Sequence, residues 1–244
     1  MIYLLEWMRV FKRNMTLENL KKDLKKLANT QKAKDCERYF KTGKGEYAEG
    51  DIFLGIFIPE QRKIVLKYYS LPLSDIEKLL ASKIHEDRMC ALFLLVNYYQ
   101  KQDKEKAVKF YFKNIKYINN WDLVDLSAYK ILGDFFFEKD KKELEALLYS
   151  DSIWEKRIAM VSTYGFIQKG DIKTTFKYAK ILLRDEHDLI HKAVGWMLRE
   201  AGKKDKKALI DFIEKNYKKM PRTTLRYSIE RFNLNERKRF LEKS

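Results

Sequence analysis

The chain has 244 residues, 45% of them hydrophobic, and a formal net charge of +16 from 51 Lys and Arg against 35 Asp and Glu. This hydrophobic content is enough for a buried core, and no apolar run approaches the ~18 to 20 residues of a membrane-spanning helix, so we expect no membrane segment. The basic excess favours a polyanionic partner.

Two further features narrow the class of protein. The cysteines, Cys36 and Cys90, form no CxxC pair, which excludes a zinc ribbon and a disulfide framework. The first residues, MIYLLEWMRVFKR, are apolar but contain Glu6 and Arg9, and they lack a basic n-region and a small-residue cleavage site. They are not typical of a secretory signal, so we expect a cytoplasmic protein.

Helix is predicted almost throughout, because the chain has only three prolines and nine glycines. Pro59 opens PEQRKIVLKYY, as proline does at a first helical position. The segment DIFLGIFI at 51–58 is the one place where a strand could be predicted, but it is isolated, so a loop is preferred. The predicted helices are 16–41, 59–69, 74–82, 86–101, 103–116, 121–138, 141–149, 152–168, 171–183, 187–201, 205–217 and 222–232.

Helices of about 10 to 18 residues with short joints predict helical repeats. Apolar second helices carry a small residue every 37, 31, 34 and 35 residues, at Ala91, Ala128, Ala159, Ala193 and Ser228. No W-x₂-L-G-x₂-Y pattern is present, which favours a HEAT-like solenoid over tetratricopeptide repeats. We therefore predict an all-α fold, an α–α superhelix with a concave basic DNA-binding face, as a single domain over 1–244.

The common catalytic and cofactor motifs are missing from the sequence. No GxxxxGK[ST], GxGxxG or GxSxG pattern occurs, so no cofactor is predicted. His187 and His191 are four residues apart and could share a metal, but HDLIH lacks the glutamate of HExxH and has no evident third ligand. Solvent-facing or capping histidines are the simpler interpretation, and we predict no metal site.

The segment NNWDLVDLSAYKILGDFF at 119–136 is the strongest candidate for a site. Asn120 can cap a helix, and Asp122 then lies in the first turn, where the helix dipole favours a carboxylate. Trp121 and Asp125 lie at i and i+4 on one face. Asp122 therefore has a structural role and Asp125 has none, while Trp121 is equally consistent with core packing.

Two later segments also place tryptophan beside basic residues. Trp154 and Arg157 are three residues apart, and Lys192 and Trp196 are four apart, with Arg199 one turn further on. Aromatic side chains interleaved with basic ones suit a surface that binds a nucleic-acid backbone and sugar. For Trp154 we prefer core packing.

At these residues the sequence resembles the HEAT-like alkylpurine DNA glycosylases of the DNA alkylation repair family. One departure is Phe57, where that family commonly has a polar or basic residue, so the resemblance does not imply a DNA contact there. Residues 1–14 fall outside the resemblance. The matching stretches are RYF (38–40), FLGIFIPEQRK (53–63), NNWDLVD (119–125), SDSIWEKRIA (150–159) and KAVGWMLREAGK (192–203).

The resemblance implies a role for each matching residue. Asp125 matches the catalytic aspartate, and Trp121 and Trp196 match the aromatic residues that flank the deoxyribose of the lesion. Arg157 matches a basic residue that holds the DNA backbone near the lesion, and Tyr39 matches an aromatic residue near the DNA. Beside Trp196, the basic residues that we predict to bind DNA are Lys192 and Arg199.

The implied reaction is hydrolysis of the N-glycosidic bond of N3- or N7-alkylated purines in duplex DNA, as the first step of base excision repair. Such bases are cationic, so no general acid is needed, and a carboxylate beside C1′ stabilises an oxocarbenium-like sugar and positions water. Simple hydrolysis needs no lysine nucleophile, so we expect a monofunctional glycosylase without strand cleavage, acting as a monomer.

The resemblance also implies that the solenoid grips the DNA backbone and attacks from the sugar side, leaving the base largely uncontacted. Two alternatives stay open, because fold alone does not decide function. One is a non-catalytic HEAT-like protein that binds DNA structure and does not need Asp125. The other is a protein-interaction scaffold with an acidic protein partner.

Overall fold

The computed structural model describes residues 15–242, and within that range all regular elements are helical. The all-α prediction is confirmed. The helices are α1 Leu17–Lys26, α2 Thr30–Phe40, α3 Ile58–Val65, α4 Leu73–Leu80, α5 His85–Lys101, α6 Lys104–Lys113, α7 Trp121–Ala128, α8 Lys142–Ala146, α9 Ile153–Gln168, α10 Lys173–Leu182, α11 Asp188–Lys204, α12 Lys206–Asn216, α13 Arg222–Ser228 and α14 Leu234–Leu241.

The predicted helix 16–41 is wrong in one respect, because the chain turns at 27–29 and forms α1 and α2 instead. Asn29 is the N-cap of α2, and its side-chain oxygen accepts a hydrogen bond from Lys32 N at 3.0 Å. The backbone N–H of Asn29 donates to Leu54 O at 2.8 Å. An asparagine that satisfies a helix N-terminus in this way ends the preceding helix.

The segment predicted as a loop, 51–58, is a loop over 51–57 with one isolated bridge between Ile52 and Ile84, and α3 begins at Ile58. A larger difference lies at the C-terminal end. Helix α14 was not predicted, although Asn233 and Glu236 form a capping box at its start. That N-x-x-E spacing is a recognisable helix signal in the sequence.

Helix α7 is followed directly by a helical turn of a different type. It continues into a π-helical turn, Tyr129–Gly133, which widens the backbone where an α-helix was predicted to run on. Single π turns within helices occur frequently at functional sites. The predicted helix 121–138 is therefore correct as a helical segment but not uniform in its geometry.

Backbone contacts divide the chain after Leu123 into two compact units, which we call the N-terminal unit and the C-terminal unit. Helices α1–α6 belong to the N-terminal unit, and α8–α14 belong to the C-terminal unit. Whether the two units together form one domain depends on their arrangement. The single domain over 1–244 therefore stays a prediction.

The small residues that recur along the sequence are buried in both units. They share an exposed fraction of 0 or 1% at Ala91, Ala128, Ala159, Ala193 and Ser228. In the C-terminal unit, α11 packs against both α9 and α13, so one helix of each pair contacts its neighbours on two sides. Small side chains at this period permit such close packing, as helical repeats require.

Two glycines bring the π-helical turn and α9 into backbone contact. A Cβ at Gly133 would lie 2.3 Å from Ser162 O, and a Cβ at Gly165 would lie 2.8 Å from Gly133 C. Both contacts are far inside the normal van der Waals distance, and each involves backbone that cannot simply rotate away. We call this contact between Gly133 and Gly165 the glycine seam. The seam requires glycine on both sides.

We expect Gly133→Ala to lower the free energy of unfolding by about 1 to 3 kcal/mol, the usual cost of overpacking. The matched control is Gly43→Ala, where the new Cβ would meet only the flexible end of the Glu46 side chain, at 2.9 Å. Urea denaturation of both variants measures the difference. Equal midpoints would show that the seam relaxes at no cost.

Over residues 15–242, no helix combines the length and the apolar composition that are needed to cross a membrane.

Candidate functional site

Trp121 begins α7 and is part of an aromatic cluster in the N-terminal unit. The ring of Phe40 stacks on Trp121, with centroids 5.1 Å apart and planes at 12°, and the ring of Tyr39 meets Trp121 edge-on at 5.9 Å. Phe53 also stacks on Phe40, at 5.0 Å. Trp121 is half-buried, whereas Tyr39 is 68% exposed. The cluster therefore fixes Trp121 and leaves Tyr39 at the surface.

A buried polar network lies beside this cluster, centred on His85 at the start of α5. The two ring nitrogens contact two carboxylates, with Nδ1 3.2 Å from Asp51 Oδ2 and Nε2 2.8 Å from Asp122 Oδ2. Arg88 donates to Asp51 at 2.5 Å. The His85 ring also stacks on Phe53, at 4.5 Å. One imidazole therefore joins the aromatic cluster to the first turn of α7.

His85 carries a positive charge in this network. Burial lowers its pKa, but the carboxylates of Asp122 and Asp51 outweigh burial and raise the pKa to about 9. For Asp51, burial raises the pKa, and hydrogen bonds from His85 and Arg88 more than reverse this, so the pKa is lowered overall. Opposite charges in contact thus stabilise one another out of water.

The residues on both sides of Trp121 are anchored. Asn120 Oδ1 accepts from Trp121 N at 2.8 Å, while Asp122 Oδ1 accepts from Leu123 N at 2.8 Å and Oδ2 contacts His85. The structural role predicted for Asp122 is confirmed. His85 could not be predicted as the partner of Asp122, because the two are 37 residues apart in the sequence.

In the C-terminal unit, Asp125 forms a bidentate ion pair with Arg157, so the prediction that Asp125 has no structural role is wrong. Arg157 Nε donates to Asp125 Oδ1 at 3.0 Å and Nη2 donates to Oδ2 at 2.8 Å. Its Nη1 donates to the carbonyl oxygen of Leu189 at 2.6 Å. The side chain of Asp125 keeps 16% of its surface exposed and that of Arg157 only 6%. A planar guanidinium held by three acceptors fixes the orientation of the carboxylate.

A row of aromatic rings in the C-terminal unit leads to Trp196. Trp196 lies 6.1 Å from Tyr164, and Tyr164 lies 5.1 Å from Tyr129, in an edge-on contact. All three side chains are half-buried. Sequence reasoning missed both tyrosines, although spacing could have found them. Tyr129 follows Asp125 by four residues and Tyr164 follows Arg157 by seven, which are same-face spacings on a helix.

The comparisons with known proteins agree with this architecture. Residues 20–232 match the family model described as "DNA alkylation repair enzyme". The chain belongs to this family. No curated protein matches the sequence significantly. A solved structure titled "Predicted DNA alkylation repair enzyme from Enterococcus faecalis" superposes with a TM-score of 0.68 and 20% identity, over 85% of this chain and 97% of that one. At this identity, the likeness to that structure shows the fold alone.

Membership of the DNA alkylation repair family assigns the protein to DNA repair, with DNA as its substrate. The family resemblance predicted from the sequence is confirmed over most of the chain. The roles of individual side chains and the type of chemistry are not part of the family description. They have to be argued from the arrangement of the site.

In this repair enzyme, two predicted DNA-binding residues besides Arg157 form ion pairs within the protein. Lys192 Nζ lies 2.8 Å from Asp188 Oδ2 on the same helix, and Arg199 pairs with Glu200 and Glu230. Both basic side chains are partly exposed. A contact with DNA phosphate would have to compete with these carboxylates, so both roles stay predictions.

The side chains of His187 and His191, at the start of α11, both contact backbone atoms. His187 is the N-cap of α11, and its Nδ1 accepts from Leu189 N at 3.1 Å. His191 Nε2 lies 2.6 Å from the carbonyl oxygen of Asp185. The capping interpretation of His187 is therefore confirmed. Among residues 15–242, no three His, Cys, Asp or Glu side chains are grouped so as to hold a metal ion.

Proposed function

We propose that this DNA repair enzyme is a monofunctional glycosylase that hydrolyses the N-glycosidic bond of cationic N3- and N7-alkylated purines in duplex DNA. The observation that supports the proposal most is the Asp125 carboxylate, which Arg157 orients through two hydrogen bonds while part of the Asp125 side chain stays exposed. A fixed, reachable negative charge is what an oxocarbenium-like sugar requires.

The chemistry uses the charge that the lesion already carries. As the bond between C1′ and the purine nitrogen breaks, its electron pair moves to the base, which leaves as a neutral molecule. Positive charge then develops on C1′ and the ring oxygen of the sugar, where Asp125 stabilises it, as carboxylates do in glycoside hydrolysis. Water adds to C1′ on the side of Asp125 and releases a proton to the carboxylate or to solvent.

In this proposal Trp121 and Trp196 flank the deoxyribose of the lesion. An aromatic face close to a developing cation contributes about 0.5 to 2 kcal/mol. Trp121 is held by the Phe40 stack and by its anchored neighbours in α7, so it would meet the sugar without reordering. Arg157 is a positioning residue for Asp125 here, and its contact with the DNA backbone stays a prediction.

We propose that the excess of basic side chains binds the DNA duplex. The net charge of +16 attracts the phosphate backbone without reading its sequence. Tyr39, Lys192 and Arg199 are the side chains that we propose as contacts beyond the reaction centre. Because such an enzyme selects lesions by the lability of their glycosidic bond, it needs no base pocket, and it would tolerate bulky adducts.

The test compares two duplexes that differ only in the lesion, one with 7-methylguanine and one with uracil. We expect free 7-methylguanine to be released, uracil to be retained, and the DNA strand to stay intact, since only the cationic base leaves without a general acid. Chromatography of the released base and denaturing gels of the strand measure these outcomes. Equal release of both bases would refute selection by lability.

A third outcome separates the proposal from its main alternative. If neither base is released while the protein binds duplex DNA tightly, the chain is a DNA-structure-binding member of its family. Tight binding in this sense falls steeply as salt rises, because phosphate contacts release counterions.

A further inference from the structure

Phe57 is an apolar side chain with 56% of its surface exposed, held rigidly at the start of α3. The loop before it is fixed by Glu86, whose carboxylate is 1% exposed and accepts the backbone N–H groups of residues 54–56 at 2.8 to 3.2 Å. A buried carboxylate that satisfies three donors is strongly stabilising for this loop. Phe57 is therefore presented to solvent by a rigid backbone.

Gly55 adds a second constraint on the same loop. Its φ is +75°, and a Cβ there would lie 2.4 Å from Asn29 O and 2.5 Å from Ala33 N. The loop consequently lies against the first turn of α2 with backbone in contact. Only glycine allows this approach, so the position of Phe57 relative to α2 is set by backbone packing.

A basic side chain of α2 covers Phe57. The Nζ of Lys32 lies 4.2 Å from the centroid of the Phe57 ring. Tyr39 follows Lys32 by seven residues, close to two helical turns, so both project from the same face of α2. Tyr39 in turn contacts Trp121. The contacting pairs Phe57–Lys32 and Tyr39–Trp121 thus share one face of α2 within the N-terminal unit, and we call these four residues the α2 strip.

The distance along α2 between Lys32 and Tyr39 corresponds to a few nucleotide spacings along a DNA strand. Seven helical residues span about 10 Å along the axis of α2. Nucleotides of one strand follow each other every 3.4 Å along a duplex, so this distance corresponds to about three nucleotides. A strand that passes Trp121 and runs along α2 would therefore reach Phe57 about three nucleotides away.

We infer that Phe57 and Lys32 form a second DNA contact, about three nucleotides from the sugar that meets Trp121. Phe57 packs against a sugar and base edge, as apolar side chains do in the minor groove, and Lys32 binds the adjoining phosphate. The inference rests on the proposed function, because that places the lesion's sugar at Trp121. Lys32 supplies the positive charge beside the Phe57 ring.

The experiment measures affinity for a duplex with a stable abasic-site analogue at its centre, by fluorescence anisotropy over a range of salt concentrations. We expect Phe57→Ala to weaken binding about 5- to 10-fold, the lower range for loss of one aromatic contact. The salt dependence should not change. Lys32→Met should weaken binding and also lower the slope of log K against log salt by about 0.9, the value for one lost phosphate contact.

Leu66→Ala is the matched control, since Leu66 is 60% exposed in the same unit but lies outside the α2 strip. It should bind as wild type does. Shortening the duplex to two base pairs on one side of the analogue should abolish the Phe57→Ala effect on that side only. A Phe57→Ala variant with wild-type affinity, or one whose effect survives both truncations, would overturn the inference.

Failure of this inference can be told apart from failure of the proposed function. If wild type releases 7-methylguanine and Phe57→Ala binds normally, the glycosylase proposal stands and the second contact does not. If no base is released while Phe57→Ala still weakens binding to duplex DNA, the contact is real and the chemistry is wrong. If the variant weakens capture of an acidic protein and not of DNA, the α2 strip is a protein-binding surface and the inference is overturned.

Discussion

Asp125→Asn should abolish release of 7-methylguanine from duplex DNA and leave duplex binding intact. We expect the single-turnover rate to fall on the order of 10²-fold or more, as it does when a group that stabilises transition-state charge is removed. Affinity should stay equal or rise, because a negative charge close to the phosphates is lost. Base release under excess enzyme, and anisotropy with an unreactive duplex, measure the two quantities separately.

Asparagine is the most informative replacement for Asp125 because the two side chains have nearly the same shape. Its side-chain oxygen can still accept one hydrogen bond from Arg157, whereas the second bond and the charge are lost. The control is Asp134→Asn, which removes the ion pair with Lys169 on the same unit and should leave base release unchanged. Release by Asp125→Asn at the wild-type rate would remove Asp125 from the reaction centre.

His85→Gln should produce the largest loss of stability. Asp122 would be left largely buried without its cationic partner, while Asp51 would keep only Arg88, and breaking a buried pair in this way costs about 3 to 5 kcal/mol. Base release should fall as well, because the first turn of α7 carries Trp121. Urea denaturation of wild type and of His85→Gln measures the difference in the free energy of unfolding.

The stability of this network should also depend on pH in a defined direction. The pKa of His85 is about 9 in the folded protein against an ordinary value of 6.5. The contribution of protonated His85 to the free energy of unfolding is therefore complete below pH 6.5 and is lost as the pH rises through about 9. This shift corresponds to about 3 kcal/mol. The difference in unfolding free energy between wild type and His85→Gln should shrink over the same interval.

A second histidine variant separates this effect from the general loss of an imidazole. His191 Nε2 lies 2.6 Å from the carbonyl oxygen of Asp185, so His191→Gln should lower the free energy of unfolding by about 1 kcal/mol, as for loss of one hydrogen bond. If both variants behave alike, the charge of His85 does not stabilise the fold.

Much of the fold could be predicted because helical periodicity is a local property. The scarcity of proline and glycine and the recurring small residues indicated paired helices, and the structure confirms their burial at Ala91 and Ala193. The break at 27–29 was missed, since α1 and α2 have compatible periodicity and only Asn29 marks the turn. The π-helical turn was missed because it preserves apolar spacing on both sides.

The candidate site was predicted where its residues are close in sequence and missed where they are distant. Trp121, Asp122 and Asp125 belong to one short segment, so spacing alone indicated their faces. The partners that hold them are far along the chain, such as His85 for Asp122 and Arg157 for Asp125. Long-range pairs of this kind follow from tertiary packing, which a single sequence does not reveal.

The first turn of α5 supports both ends of the α2 strip, which has a consequence for cooperativity. His85 holds the start of α7 and thereby Trp121, whereas its neighbour Glu86 holds the loop that presents Phe57. If this turn opens locally, both side chains lose their positions at once. Backbone amides of residues 54–56 and 121–123 should therefore exchange with deuterium at a common opening free energy, and a variant at either residue 85 or 86 should raise both rates together.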